Sequence, residues 1–146
     1  MTTEILGTEE CERLLASQQV GRLAVVVDRY PMVFPVNFSI DGDAVVFRAA
    51  PGTKLTAAQH HNVGFQVDSI DLVRRTAWSV LLTGMAEIVT DDHDESTIAR
   101  SRSLPIDPLE GGEKDTWVRI IRHSISGRRI SEADPSTPLW HSAAYL

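Results

Sequence analysis

VFPVNFSIDGDAVVFRAAPGTKL, residues 33–55, is two apolar-rich runs joined by Asp41-Gly42 and followed at once by a Gly-Thr-Lys. Asp-Gly between such runs signals a tight β-hairpin, because the turn needs backbone angles that glycine adopts cheaply. The spacing predicts strands over Met32–Ile40 and Ala44–Ala49, with Pro51-Gly52 as the break. Thr53 then stands as the N-cap of a helix over 54–61, with Lys54 in its first turn. A helix start presents unpaired N–H groups and a partial positive charge, so a lysine there is out of place unless an anion joins it. Arg48, Gly52, Thr53 and Lys54 therefore read either as a phosphate site or as an ordinary strand-to-helix connection with exposed cations. The eight-residue G-x-x-x-x-G-K-[ST] loop is absent.

Outward from the hairpin, Thr8 is expected to cap a helix to about Gln18, with Glu9 and Glu10 in its first turn and Cys11, Leu14 and Leu15 on its apolar stripe. Val20–Val27 reads as a strand, turned by Asp28–Pro31. Val63–Val67 is a further strand with Leu72 as its outer limit. Trp78–Thr90 is a long strand in which Gly84 marks a bulge or bend. Asp91 or Asp92 should cap a helix to about Ser103, and a Pro- and Gly-rich loop follows over Leu104–Asp115. Trp117–Ile121 and Ser124–Ile130 read as two closing strands, and Ser131–Leu146 as a tail with Trp140 and Tyr145 as anchors. Six or seven strands with three short helices do not alternate as β-α-β. A mainly β, antiparallel barrel or closed sheet is expected.

At 146 residues the chain is most simply one domain over 1–146, with an N-terminal helical region over 1–19. Its 42% hydrophobic content and mean hydropathy of -0.10 are those of a soluble globular protein. A net charge of -6 and a pI near 5.3 argue against a general nucleic-acid binder. The local basic group Arg119, Arg122, His123, Arg128 and Arg129 reads as a solvated strand face. One cysteine allows no internal disulfide and fits a reducing cytoplasm. No signal peptide and no apolar run of membrane-spanning length is seen.

Other candidate chemistry is thin. The five histidines, His60, His61, His93, His123 and His141, lack metal-ligand spacing. Asp91–Glu95 lacks the calcium-loop pattern and reads as an acidic first helical turn. Ser79 sits in no nucleophile elbow, and Cys11 reads as a core residue.

The ordered series V-G-R-L-A from Val20, P-V-N-F-x-x-D-G-x-x-V-x-F-R from Pro35, G-T-K-L from Gly52, W-S-V-L-L-T-G-M-A-E from Trp78, W-V-R-I from Trp117 and I-S-G-R-R-I from Ile125 resembles the pyridoxamine 5'-phosphate oxidase-like family. It looks most like the short actinobacterial flavin-binding members, relatives of the nitroimidazole-resistance proteins. The resemblance spans about Val20–Ile130 and implies a split β-barrel homodimer with FMN held between subunits. It implies a flavin ring along the backbone of Pro35, Val36, Asn37 and Phe38, and a flavin phosphate near Arg48, Thr53 and Lys54. Trp78 and Ser79 match a strand start beside the flavin. The resemblance also implies, less directly, that the segments holding Trp117 and Arg128 reach the partner's flavin.

The activity so implied is a flavin-dependent oxidoreductase reaction on a small molecule, the flavin supplying the redox chemistry. The alternatives are an F420-dependent reductase on the same barrel and a flavin-storage or flavin-sensing module; haem-binding relatives also exist. The chain departs from the true oxidase at telling places. That enzyme's R-x-V-L-L-K run is replaced by Pro35–Phe38, with Phe38 where a lysine contacts the substrate phosphate. Its Arg-Lys pair becomes Thr53-Lys54, and its late R-x-H motif is missing near Ile125–Arg129. Vitamin B6 oxidation is not expected.

Overall fold

The computed structural model describes residues 2–50, 52, 58–106 and 116–131. Its strands and helices are β1 (Thr2–Leu6), α1 (Thr8–Ala16), β2 (Val20–Val27), β3 (Tyr30–Asp41), β4 (Ala44–Ala49), β5 (Asn62–Asp71), β6 (Thr76–Ile88), α2 (Glu95–Ser103) and β7 (Thr116–Ser131). All strand pairs are antiparallel, in the order β1-β7-β4-β3-β2-β5-β6, and a further β6–β7 ladder returns the sheet onto itself. Closure makes a six-stranded barrel with β1 outside the ring. Each barrel strand thereby has a neighbour on both sides, which is how all-β folds limit edge pairing, although β3 meets β4 only over Phe38–Asp41. The mainly β split-barrel expectation is thus borne out, with two helices among the described residues.

Alternation along each strand sends one set of side chains inward. Leu23, Val25, Val45, Phe47, Phe65, Val67, Val80, Leu82, Val118 and Ile120 form the core, each at most 3% exposed. Helix α1 closes one part of it with Cys11, Leu14 and Leu15, the stripe read from the sequence. Gly127 permits this approach, since a Cβ there would lie 2.8 Å from Cys11 Sγ and 3.0 Å from the Ser79 carbonyl.

The expected β7 pair is in fact one strand of 16 residues. Its apparent break has a local cause. Thr83 pairs with Ser124 but Gly84 pairs with Arg122, so His123 is an extra residue and the register slips there. Gly84 answers the bulge as expected. A Cβ on it would stand 2.1 Å from the Ile121 carbonyl oxygen. β7 is laddered to β6 along one edge; along the other it meets β4 first and β1 afterwards.

Other expectations need correction. β1 was not foreseen, because only Leu6 of its five residues is buried and its sequence carries no alternation. The N-cap of α1 is Gly7, without a side-chain cap bond, and Thr8 is already helical. Asp94, not Asp91 or Asp92, caps α2, accepting from the Thr97 N–H at 3.0 Å. The first half of the helix expected over 54–61 lies outside the described residues. By His60 the chain is not helical, because β6 takes over its hydrogen bonds: His60 N donates to the Ala86 carbonyl and Ala86 N to that of His61. The tail with Trp140 and Tyr145, and His141, also lie outside. None of the described helices is long and apolar enough to cross a membrane.

Candidate functional site

Along β3 the side chains of Val36 and Phe38 point inward, 4% and 5% exposed, and Phe38 meets Phe65 edge-on with ring centroids 4.9 Å apart. Pro35 is exposed and Asn37 half-buried. What the Pro35–Phe38 run offers outside the barrel is therefore mostly backbone. β2 ladders with β3 from Tyr30 to Asn37, whereas β4 covers only Phe38–Asp41 on the other edge. Among the described residues, no second strand pairs with β3 over Pro35–Asn37. This divergence of β3 from β4 splits the barrel along Pro35–Asn37, where Pro35 carries no N–H and the N–H of Phe38 is donated to the Gln19 carbonyl at 3.0 Å.

Arg48 stands one residue past the last β3–β4 rung, Phe38–Phe47. It pairs in register with Trp117 of β7, and its guanidinium carbon lies 4.8 Å from the indole centroid. Arg48 Nη1 donates to the Ile106 carbonyl at 3.1 Å. Beneath it the Trp117 Nε1–H is buried with no hydrogen-bond partner among the described residues. A buried donor left unmet costs free energy unless an acceptor arrives. Of the rest of the expected phosphate group, Gly52 is described, with φ +159°, and Thr53 and Lys54 lie outside the described residues.

Ser79 and Arg128 come together elsewhere. They are cross-strand partners on β6 and β7, and with Ile5, Leu81, Ser126 and Gly127 they line a cavity of about 430 Å³. Ser79 is 8% exposed although its side chain faces outward. Trp78, its neighbour, faces the other way and packs against the core. Along β7, Arg128 lies eleven positions after Trp117, about 36 Å of strand at the usual rise. The sequence-read residues thus form two groups at opposite ends of one long strand.

The basic cluster is not a solvated face. Arg119 is 7% exposed; its Nη1 donates to Asp41 at 2.7 Å and to Ser101 Oγ at 2.9 Å. Arg119, helped by Arg100, holds the Asp41 carboxyl below the usual carboxylate range and ties the hairpin turn to α2. Arg122 bridges Glu12 and Asp43, and Arg129 bridges Glu4 and Glu10. Acidic partners distant in sequence, invisible to a local reading, consume these charges. His123 and Arg128 are the exposed members. Cys11 is fully buried, and burial, then Glu10 and Glu12, pushes its thiol pKa up, as suits a core residue. His93 is held by Thr90 N–H at Nδ1 and by Glu87 at Nε2, each at 3.1 Å.

Sequence reasoning passed over one feature. Ala16, Gln18, Gln19, Asn37–Ile40 and Leu104–Ile106 line an open cleft of about 620 Å³ beside Arg48's partner Ile106. The Gln18-Gln19 pair between a helix and a strand was its one available signal.

Comparison with known proteins agrees with this architecture. A family model described as pyridoxamine 5'-phosphate oxidase matches residues 7–129. An uncharacterised protein of Mycobacterium tuberculosis is 33% identical over 139 residues, covering 91% of this chain and 88% of the relative. A solved FAD binding protein from Mycobacterium smegmatis is 35% identical, covers 88% of this chain and 99% of its own, and superposes with a TM-score of 0.68. A solved putative pyridoxamine 5'-phosphate oxidase from Corynebacterium glutamicum is 32% identical, covers 90% of this chain and 100% of its own, and has a TM-score of 0.76.

Proposed function

Because the chain belongs to the pyridoxamine 5'-phosphate oxidase family, we propose that it binds a flavin nucleotide between two copies of itself and serves as a flavin-dependent oxidoreductase for a small molecule. The observation that carries the reading is the meeting, at one barrel end, of the Arg48 guanidinium, the Trp117 Nε1–H, without a partner among the described residues, and the stretch of β3 that β4 does not reach. That donor set fits the group. A guanidinium suits a phosphate through charge-assisted hydrogen bonds. Backbone carbonyls of the strand beside it suit the donors on the polar rim of the flavin ring. FMN is the smallest nucleotide with both parts; FAD, the ligand in the name of the M. smegmatis relative, contains the same unit.

When bound, the flavin supplies hydride and electron transfer. This chain's residues bind and orient it: Arg48, with Thr53 and Lys54, at the phosphate, and the Pro35–Phe38 backbone along the ring. Outward-facing Leu81, Met85 and Ile121, 40–46% exposed, give the second copy an apolar seat. In such a dimer the separated Ser79–Arg128 group would belong to the partner's flavin. That gives its place at the far end of β7 a purpose.

The visible spectrum of the purified protein, the mass of the released cofactor and sedimentation together test the proposal. Bound FMN or FAD in a stable dimer is expected. A stable monomer at micromolar concentration with flavin bound overturns the shared site, and an F420 mass moves the protein to the deazaflavin reductases. Bound flavin that no donor reduces and no acceptor reoxidises at a useful rate makes it a storage module.

A further inference from the structure

Two rungs stand side by side on the outer face of β4 and β7, Val46 with Arg119 and Arg48 with Trp117. Alternation puts them there, because Val45, Phe47, Val118 and Ile120 take the inner face. An arginine enclosed at such a position must find fixed acceptors. Arg119 Nη1 finds two, the Asp41 carboxylate at 2.7 Å and the Ser101 hydroxyl at 2.9 Å. Ser101, itself fully buried, donates in turn to the Thr97 carbonyl at 2.7 Å. One guanidinium therefore fixes the β3–β4 turn, β7 and the last turn of α2 against one another.

The chain that leaves α2 is held as closely. Leu104 N–H donates back to the Ser101 carbonyl at 3.4 Å, and Ile106 N–H to that of Leu104 at 2.9 Å. Ile106 is buried, and its carbonyl accepts from Arg48 Nη1 at 3.1 Å. Trp117, on which the Arg48 guanidinium rests, stands two positions before Arg119 on β7. Both supports of Arg48 thus lead back to Arg119, one directly along β7 and one through Ser101 and the end of α2. A long side chain that its ligand must order costs affinity, and one ordered beforehand does not. We infer that Arg119, Asp41 and Ser101 are positioning residues for the phosphate site: they set the end of α2 so that Ile106 holds the Arg48 guanidinium in place before the ligand arrives. The inference rests on the flavin reading above and adds to it residues that reach the ligand only through Arg48.

The test is calorimetric titration of FMN and riboflavin into cofactor-stripped protein. Wild type, Arg119→Met, Ser101→Ala and Arg48→Ala are compared, together with each of the first two variants combined with Arg48→Ala. Thermal unfolding checks that every variant is folded at the titration temperature. Ser101→Ala, which removes a single hydroxyl, carries the test where Arg119→Met does not fold. Each single variant should raise the FMN dissociation constant about twofold to tenfold, the worth of one long side chain left unordered, and leave riboflavin unchanged. Beside Arg48→Ala neither should weaken FMN further, because the residue through which they act is gone. Equal losses for FMN and riboflavin overturn the inference and assign the cluster to the fold alone. So do losses that persist undiminished beside Arg48→Ala, or an FMN affinity that neither variant moves. A wild type that binds neither ligand overturns the flavin reading itself, and FMN binding indifferent to Arg48→Ala removes the phosphate from Arg48; the inference falls with either.

Discussion

Replacing Arg48 by alanine should act twice, and the two effects can be measured apart. In the ligand-free protein the substitution removes the stack on Trp117 at 4.8 Å and the hydrogen bond to the Ile106 carbonyl at 3.1 Å. A partly exposed cation–π contact contributes about 0.5–1 kcal/mol, and a hydrogen bond to a carbonyl about 1 kcal/mol or somewhat more. The expected loss is about 2 kcal/mol, roughly 4–8 °C of melting temperature for a chain of this size. The second effect is on the ligand. A charge-assisted bond to the flavin phosphate is worth about 1.5–3 kcal/mol, a tenfold to hundredfold rise in the FMN dissociation constant. Riboflavin lacks the phosphate and should respond little. Lys54→Ala should show the same discrimination between the two ligands. Thermal unfolding of the ligand-free variant reads the first effect, and parallel titration with FMN and riboflavin reads the second. Equal losses for both ligands, or none for FMN, would remove Arg48 from the phosphate site. An unchanged melting temperature would refute the account of its contacts with Trp117 and Ile106.

Gly84→Ala forces a Cβ to within 2.1 Å of a backbone oxygen, so it should lower stability by about 3 kcal/mol, seen as a lower urea midpoint at constant slope. The Glu10 carboxyl is held at about 2, against an ordinary 4.5, by hydrogen bonds from Arg13 and then Arg129. Its folded-state value is depressed, so its contribution is complete above pH 4.5 and fades as pH falls toward 2; Glu10→Gln should flatten acid unfolding over that window. Pyridoxamine 5'-phosphate should not be turned over by the flavin-loaded protein, because Phe38 is sealed in the core against Phe65 where the oxidase has a substrate-binding lysine. Robust product formation in a coupled assay would contradict that reading.

The hairpin was legible because Asp41-Gly42 is a local device: β4 has the predicted bounds, and β3 starts and stops within two residues of its own. The barrel strands followed from alternation and from residues that favour pleated surfaces. Elements whose reasons are non-local escaped. β1 exists because β7 offers it an edge, and the bulge at His123 exists because β6 reaches β7 in two registers. The chemistry divided the same way. Arg48 was readable from its place before a Pro-Gly break, but its stack on Trp117 depends on a rung 69 positions away. Arg119 looked solvated because its partner Asp41 lies 78 positions upstream. The cleft was unreadable, because three separate segments assemble it.

β7 is made late and is needed early. It bonds β6, β4 and β1, so until Thr116–Ser131 have left the ribosome the sheet has two raw margins and β1 has no partner. Nearly the whole chain must wait through several seconds of synthesis at roughly 5–20 residues per second, with the inner faces of β2–β6 unclosed. Such a topology has high contact order, pairing Thr2 with Ser131, and folds slowly for its size. Its nascent form is therefore a natural client for chaperones that shield open sheets, and its vulnerability to aggregation is concentrated before the last strand appears rather than in the finished barrel.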